Sequence, residues 1–225
     1  MKAIVLFSGG LDSTTCLAMA LKEHGSKNVI ALSLSYGQKH IKEQESARKI
    51  ADYYGVELIE YDVKSVFNGS NCSLLEGNDK IPEGDYKSQI GVNNKPVSTY
   101  VPFRNGLFLS IATAMAISRG CKIIYYGIHK DDATGNAYPD CSHEFNAYMK
   151  KAINIGSGEQ VDIIAPFVDK NKAEIVKVGL QLNVPYEMTW SCYNGGEKPC
   201  GKCGTCIDRL EAFRLNGKED PLCKQ

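Results

Sequence analysis

Residues 7–15 of the chain read FSGGLDSTT, a polar segment between an apolar run and a helical pattern. Residues 2–7, which lead into it and share Phe7 with it, form a short, mainly apolar run rich in β-branched side chains, which predicts one buried strand. In residues 12–24, Leu17, Ala18 and Leu21 recur at helical spacing, so a helix follows the stretch directly. The quoted residues therefore form a strand-to-helix turn.

A turn of this kind is a natural site for an anion. The first backbone N–H groups of the helix lack partners, and the positive end of the helix dipole lies behind them. Gly9 and Gly10 let a phosphate approach the backbone, and Ser8 and Ser13 add hydroxyl donors. An ordinary capped turn is the alternative, but Asp12 favours the phosphate site, because a carboxylate beside a phosphate usually needs a metal ion between them. The turn predicts a bound magnesium nucleotide.

Length and composition favour a single domain over residues 1–225, with no linker that would divide it. The 26 basic and 26 acidic residues cancel, which argues against tight binding to a nucleic-acid backbone. The most apolar helix-length stretch, 106–117, falls short of the roughly 20 residues that a membrane helix needs. Nine cysteines without a secretory signal predict a reducing compartment, and we expect a cytoplasmic protein.

Strand and helix patterns alternate along most of the chain. This predicts an α/β fold with a doubly wound, mainly parallel, Rossmann-like sheet, helices on both faces and ligands above the carboxyl ends of the strands. Residues 64–101 break the rhythm, and we predict a lid-like loop there. The predicted strands are 2–7, 28–37, 56–63, 122–128 and 161–167, and the predicted helices are 12–24, 43–54, 104–118, 146–155 and 172–182, the last being the final core helix.

Four cysteines lie close together near the carboxyl end, in CYNGGEKPCGKCGTC at 192–206. The spacing of Cys192, Cys200, Cys203 and Cys206 matches a closed tetrahedral zinc site without an open position for water, so the metal would be structural. An iron–sulfur cluster or a pair of disulfides are the alternatives. We expect a C-terminal zinc knuckle at about residues 190–213, distant from the SGGLDS turn.

Several motifs stand in a fixed order: SGGLDS, then YGQKH at 36–40, VPFRN at 101–105, YPDC at 138–141, NKAE at 171–174, and the four cysteines. Over nearly the whole chain this set resembles the 7-cyano-7-deazaguanine synthase family of the pyrophosphate-loop ATP pyrophosphatases. The resemblance implies an adenine nucleotide alpha hydrolase-like fold and a cytoplasmic homodimer in queuosine biosynthesis. It also implies an ATP-dependent ligase that uses Mg²⁺ and structural zinc to convert 7-carboxy-7-deazaguanine and ammonia into preQ0, through an adenylated carboxylate and an adenylated amide. Small molecules would be its partners, without stable nucleic-acid or membrane binding.

The resemblance also assigns site residues. Asp12, Lys172 and Arg104 would be catalytic, with Asp12 organising magnesium and Lys172 neutralising the leaving pyrophosphate. The residues implied to bind ATP are Ser8, Gly9, Gly10, Leu11, Asp12, Ser13, Thr14, Tyr36, Gln38, Lys39 and His40. Those implied to bind the deazaguanine substrate are Asn105, Asp132, Tyr138 and Asp140.

The chain departs from the family pattern between Asp132 and Ser142. The ATGNA segment lengthens the loop before YPDC, and Ser142 stands where the family has an arginine. An enzyme that adenylates another carboxylate, or a tRNA base for sulfur or nitrogen transfer, is therefore the alternative. A non-catalytic sensor of adenine nucleotides is a third hypothesis, which substrate-dependent release of pyrophosphate would exclude.

Overall fold

The fold is built on a five-stranded sheet in the order β3-β2-β1-β4-β5, with every recorded strand pairing parallel. The computed structural model describes residues 1–90 and 95–224, so residues 91–94 of the predicted lid-like loop lie outside the described part. The strands are β1 Ala3–Leu6, β2 Val29–Ser35, β3 Glu57–Asp62, β4 Ile123–Tyr125 and β5 Asp162–Ile164. The predicted doubly wound α/β sheet is confirmed.

Helices connect the strands and cover both faces of the sheet. They are α1 Leu11–His24, α2 Lys42–Tyr54, α3 Tyr86–Gln89, α4 Arg104–Arg119, α5 Lys130–Ala133, α6 His143–Gly156, α7 Lys172–Gln181 and α8 Gly204–Leu215. One face packs against α1, α2 and α7, through side chains such as Leu17, Ile50 and Ile175. The other face packs against α4 and α6, through Leu109 and Ile153. Because both faces are covered, β1 is buried along its whole length and is apolar throughout.

The order of the strands fixes where a ligand can enter. The chain winds outward from β1 to β2 and β3, and then returns to place β4 on the other side of β1. In a doubly wound sheet, the crevice at this reversal lies beyond the carboxyl ends of the central strands. The SGGLDS turn follows β1 directly, and therefore stands at the edge of this crevice.

The structure adds a helix that the sequence pattern did not predict. We expected 172–182 to be the last core helix, and this is wrong because α8 follows within the tail. Cys203 is its N-cap residue, and Ala212 and Phe213 are buried on the same side of the sheet as α7. The cysteine spacing predicted a metal site, and the helix that begins within the same segment, at Gly204, was not predicted.

Two further differences have local causes. The helix predicted at 146–155 begins earlier, at His143, because the Ser142 hydroxyl accepts a hydrogen bond from Phe145 N at 3.1 Å and caps it. The segment predicted as a lid-like loop contains a short turn of helix, Lys64–Phe67, besides α3. No helix within residues 1–90 and 95–224 has the length and apolar character needed to cross a membrane.

Candidate active site and metal centre

The SGGLDS turn leaves the start of α1 open. Gly10 is the N-cap residue, and it has no side chain that could satisfy the first N–H groups of the helix. The Ser8 and Ser13 hydroxyls lie 3.1 Å apart, and the Ser13 hydroxyl also accepts a hydrogen bond from Ser8 N at 3.2 Å. Backbone N–H groups and two hydroxyls therefore converge on one spot, as a phosphate requires.

Gly9 brings a second helix against this turn. Its φ is +83°, and a Cβ atom there would lie 2.5 Å from both Glu43 O and Ala47 N of α2. Only glycine permits this approach without a backbone shift. Gly9 therefore positions α2 beside the turn, whereas Gly10 faces the cleft above it.

Asp12 and Lys172 form an ion pair across the mouth of the turn. The Lys172 Nζ atom lies 2.6 Å from Asp12 Oδ2, and the side chains are 12% and 24% exposed. Burial acts to raise the pKa of Asp12, but the charge and hydrogen bond of Lys172 together with the nearby His129 and Arg209 outweigh it, and the pKa is lowered. Among the described residues, the buried Asp12 Oδ1 has no hydrogen-bond partner. A carboxylate oxygen without a partner beside a phosphate-binding turn fits a Mg²⁺ ligand.

His129 is a buried neighbour of Asp12 that the sequence analysis did not single out. It is 1% exposed, and its Nε2 lies 3.2 Å from Asp132 Oδ2 and 3.9 Å from Asp12 Oδ2. Asp131, in the first turn of α5, accepts a hydrogen bond from Lys172 N at 2.8 Å. The position of His129 just after β4, followed by two aspartates, was the signal that could have identified it.

The cleft above β1, β2 and β4 brings most of the predicted site residues together. Those that line it are Ser8, Gly10, Leu11, Asp12, Ser13, Tyr36, Gln38, Arg104, Asn105, Asp132 and Lys172. The predicted residues outside its lining are Gly9, Thr14, Lys39, His40, Tyr138 and Asp140. Polar lining residues that the sequence analysis did not assign are Ser33, Glu43, Gln44, Tyr126, Cys141, Ser191, Tyr193 and Thr205.

Asp140 and Tyr138 lie behind the cleft wall. The Asp140 carboxylate accepts a hydrogen bond from Asn105 N at 2.8 Å, and the Asn105 side chain donates to Asp140 O and to Cys141 Sγ. The Tyr138 hydroxyl lies 2.6 Å from Thr99 Oγ1. Asp140 therefore fixes the start of α4, from which Asn105 enters the cleft.

Lys39 and His40 lie on the outer side of the YGQKH segment. Lys39 Nζ donates to the carbonyl oxygens of Asn78 and Asp79 at 3.1 and 2.5 Å, and so holds part of the long loop. His40 packs against Gly195 of the cysteine segment, where a Cβ would collide with the imidazole. In this structure both side chains contact other segments of the protein.

Arg104 extends from the start of α4 over the ring of Tyr36, with the guanidinium carbon 5.0 Å from the ring centroid. Burial acts to lower the pKa of Arg104, but Tyr36, Asp140, Tyr193 and Cys141 together outweigh it and the pKa is raised, so the guanidinium remains charged. A cation stacked on an aromatic ring is held in a defined place. Arg104 thus presents a fixed positive charge across the cleft from the SGGLDS turn.

The four cysteines of the tail form one cluster. The Sγ atoms of Cys192, Cys200, Cys203 and Cys206 all lie within 4.8 Å of one another, and all nine cysteines of the chain are free. The Cys200 and Cys203 N–H groups donate to Cys192 Sγ and Cys200 Sγ, both at 3.3 Å. Hydrogen bonds from Cys203 and Cys206 lower the pKa of Cys192. The cluster could hold a metal ion.

The cysteine cluster lies beside the turn, so the expected separation of the two is wrong. Trp190 N donates to Gly9 O at 3.1 Å, and the Trp190 indole N–H donates to Cys192 O at 2.8 Å. Ser191 and Tyr193 from the same segment line the cleft. Sequence spacing could not indicate this contact, because it joins residues from opposite ends of the chain.

A buried arginine anchors the tail beneath the cleft. Arg209 of α8 forms a two-point pair with Asp220, and it also donates to the Thr189 hydroxyl and to Tyr186 O. The Tyr186 hydroxyl lies 2.8 Å from Thr15 Oγ1 of α1. This network fixes the segment that carries Trp190.

Comparisons with known sequences all indicate one family. The model of the family described as "Queuosine biosynthesis protein QueC" matches residues 2–217. A 7-cyano-7-deazaguanine synthase of Archaeoglobus fulgidus is 43% identical over 223 residues, which cover 99% of this chain and 90% of that protein. One of Marinomonas sp. is 44% identical over 221 residues, which cover 98% and 97%.

Solved structures share the fold. The U34-tRNA thiolase NcsA from Methanococcus maripaludis, with its [4Fe-4S] cluster, aligns with a TM-score of 0.51 at 18% identity. The alignment covers 96% of this chain and 65% of the thiolase, so the chain spans less than two thirds of it. NMN synthetase from Francisella tularensis aligns with a TM-score of 0.51 at 15% identity, over 97% of this chain and 78% of the synthetase. This likeness agrees with an adenine nucleotide alpha hydrolase-like fold.

Proposed function

The chain belongs to the family of queuosine biosynthesis protein QueC and is an enzyme of that family, and we propose that it converts 7-carboxy-7-deazaguanine into 7-cyano-7-deazaguanine with ATP and ammonia. The observation that carries the proposal is the open turn of α1, with the Asp12–Lys172 pair at its mouth and Arg104 across the cleft. An enzyme that activates a carboxylate with ATP needs a site for the phosphates and, on the opposite side of the cleft, a cation that attracts the carboxylate.

The chemistry explains why ATP is needed twice. A carboxylate is a poor electrophile, so its oxygen first attacks the α-phosphorus of ATP, which gives an acyl-adenylate and pyrophosphate. Ammonia then displaces AMP and leaves an amide. The amide oxygen attacks the α-phosphorus of a second ATP and displaces pyrophosphate, and loss of AMP and two protons from that adduct gives the nitrile. The protein's task is to orient the reactants and to stabilise phosphoryl charge.

The residues of the turn suit the ATP side of this reaction. Ser8, Gly10 and Ser13 would hold the pyrophosphate end through hydroxyl and backbone donors. Lys172 would neutralise the pyrophosphate as it leaves, and the free Asp12 Oδ1 would ligate Mg²⁺. When bound, that ion supplies charge neutralisation to the phosphates. Gly9, Leu11 and Thr14 would shape the turn, with the Thr14 hydroxyl bonded to Gly10 O.

The opposite wall suits the deazaguanine. Arg104 would attract the substrate carboxylate, Asn105 would hydrogen-bond to the ring system, and Asp132 would accept from its N–H groups. Asp140 and Tyr138 are outside the cleft lining and would not contact the substrate. Asp140 would instead position Asn105, whose backbone N–H donates to its carboxylate. Tyr36 and Gln38 would border the nucleotide, while Lys39 and His40 would hold neighbouring segments.

We propose zinc for the cysteine cluster. Four sulfurs bound tetrahedrally at about 2.3 Å stand about 3.8 Å apart, and the Cys200 and Cys206 sulfurs lie 4.0 Å apart. A [4Fe-4S] cluster, such as the named thiolase holds, spreads its cysteine ligands over separate irons. Metal and acid-labile sulfide analysis distinguishes the two. The homodimer and the cytoplasmic location stay predictions.

The first adenylation can be measured alone, as exchange of labelled pyrophosphate into ATP that depends on the carboxylate. We expect exchange with 7-carboxy-7-deazaguanine in the absence of ammonium, and its loss in Asp12→Asn, which keeps the shape of the turn but removes its charge. Exchange that instead requires tRNA would favour the alternative enzyme. Nucleotide binding without exchange under any condition would favour the sensor.

A further inference from the structure

Glu43 is an acidic residue of the cleft lining that has no role in the steps proposed above. It lies in the first turn of α2, and its carboxylate borders the same cleft as Ser8, Arg104 and Tyr36. Its backbone packs directly on Gly9, where a Cβ would lie 2.5 Å from Glu43 O. Glu43 therefore lines the same cleft as the phosphate-binding residues Ser8, Gly10 and Ser13.

The Glu43 carboxylate is free to act. Among the described residues, no hydrogen bond or ion pair engages its side chain, although Asp12, the other acid beside the turn, is paired with Lys172. Burial raises the pKa of Glu43 to about 7, while the charge of Arg104 acts to lower it. The groups that face Glu43 are Arg104 from α4 and Tyr36 after β2. A group poised in this way can accept a proton near neutral pH.

The reaction needs such a group. Ammonia is present mainly as ammonium at neutral pH, and an ammonium nitrogen has no lone pair with which to attack. The same nitrogen must lose two further protons when the adenylated amide becomes the nitrile. A proton acceptor on the nitrogen's side of the acyl group would therefore serve both halves of the reaction.

We propose that Glu43 is the general base that deprotonates ammonium for attack on the acyl-adenylate. This inference rests on the function proposed above. The Glu43 carboxylate takes one proton from ammonium, and the nitrogen lone pair forms the C–N bond. The adduct then releases its second proton to water, and the C–O bond breaks with its electron pair leaving on AMP. Glu43 then returns its proton to water. In the second cycle the adenylated amide nitrogen loses one proton to water and the other to Glu43, as the C–O bond breaks and AMP leaves.

Other acids near the cleft suit this role less well. Asp132 lies 3.2 Å from His129 Nε2, and Asp12 lies 2.6 Å from Lys172 Nζ, so both carboxylates have cationic or titratable partners. Burial raises the pKa of Asp208 to about 6, but this residue of α8 is outside the cleft lining. Glu43 is the acid that combines a cleft position with an unengaged carboxylate in the described part of the chain.

The test separates the two half-reactions in Glu43→Gln, with Glu45→Gln as the matched control. Glu45 lies on the same helix, pairs with Lys42 and is outside the cleft lining. In Glu43→Gln we expect carboxylate-dependent pyrophosphate exchange to stay within about twofold of wild type, while amide formation from ammonium falls about 100-fold or more. Glu43→Asp, which keeps a carboxylate, should retain more amide formation, and Glu45→Gln should match wild type in both assays.

The pH profile gives an independent readout. At fixed total ammonium, amide formation by wild type should level off above pH about 7, as Glu43 becomes fully deprotonated. Glu43→Gln should instead keep rising with pH, because only free ammonia then reacts. A rise in the KM for 7-carboxy-7-deazaguanine with loss of exchange would overturn the inference and make Glu43 a substrate-binding residue. Unchanged amide formation would also overturn it, whereas no exchange in wild type would contradict the proposed function itself.

Discussion

Replacing Arg209 with methionine should destabilise the protein strongly, because it removes the charge that balances a buried carboxylate. Arg209 Nε and Nη2 lie 2.7 and 2.9 Å from the two oxygens of Asp220, and the side chains are 3% and 2% exposed. Methionine fills much of the space of the arginine stem but leaves Asp220 charged and desolvated. Breaking a buried pair in this way costs about 3–5 kcal/mol.

Thermal unfolding measures this effect directly. For a chain of this size, each kcal/mol lowers Tm by about 2–4 °C, so the expected loss is roughly 6–20 °C. Arg214→Met is the matched control on the same helix, because its pair with Glu211 is exposed, at 71% and 47%, and should contribute no more than about 1 kcal/mol. Arg209→Met with Asp220→Leu should be more stable than Arg209→Met alone. An Arg209→Met loss as small as the control's, or no recovery in the double variant, would refute the reasoning.

Gly9→Ala should lower the free energy of unfolding by about 1–3 kcal/mol more than Gly25→Ala, as measured by thermal unfolding. Both glycines have positive φ, but of the two only Gly9 would place a Cβ against α2. Equal losses would show that α2 does not need this close approach. Cys203→Ser should lose the proposed zinc ion, for which we expect about one per chain in the wild type, and should also weaken ATP binding in a titration, since the cluster segment contacts the turn. Full ATP affinity in a metal-free variant would contradict that coupling. Lys172→Met should lower pyrophosphate exchange about 100-fold, whereas Lys177→Met on the exposed side of α7 should not; similar rates in the two variants would remove Lys172 from the site.

Local patterns in the sequence were sufficient for the sheet and for the turn. Apolar β-branched runs such as residues 2–7 specify buried strands, and a glycine pair before a helical pattern specifies an open helix start. The helix α8 was missed because its first turn overlaps the cysteine segment, whose glycines indicate turns. Its contact with the core beside the sheet comes from Ala212 and Phe213, while Cys206 belongs to the cysteine cluster, so the helix lacks a clear amphipathic pattern.

Sequence motifs named most of the residues that the structure brings to one cleft, but not residues that stand outside the motifs. Asp12 and Lys172 were named by motif, and their 2.6 Å contact joins residues far apart in sequence. His129 and Glu43 were not assigned, because a histidine after a strand and a glutamate in a polar helix are common outside any site. What distinguishes them is burial and neighbouring charge, which only the folded chain reveals.

The most direct test of the proposed activity is to identify its product. The purified protein is incubated with 7-carboxy-7-deazaguanine, MgATP and ¹⁵N-ammonium, without glutamine or tRNA, and the products are followed by mass spectrometry. The account predicts that the carboxylate disappears, that a ¹⁵N-labelled amide rises and falls, and that a ¹⁵N-labelled nitrile accumulates with two AMP released for each. Consumption of ATP with the carboxylate unchanged, or release of ADP and phosphate in place of AMP and pyrophosphate, would contradict it.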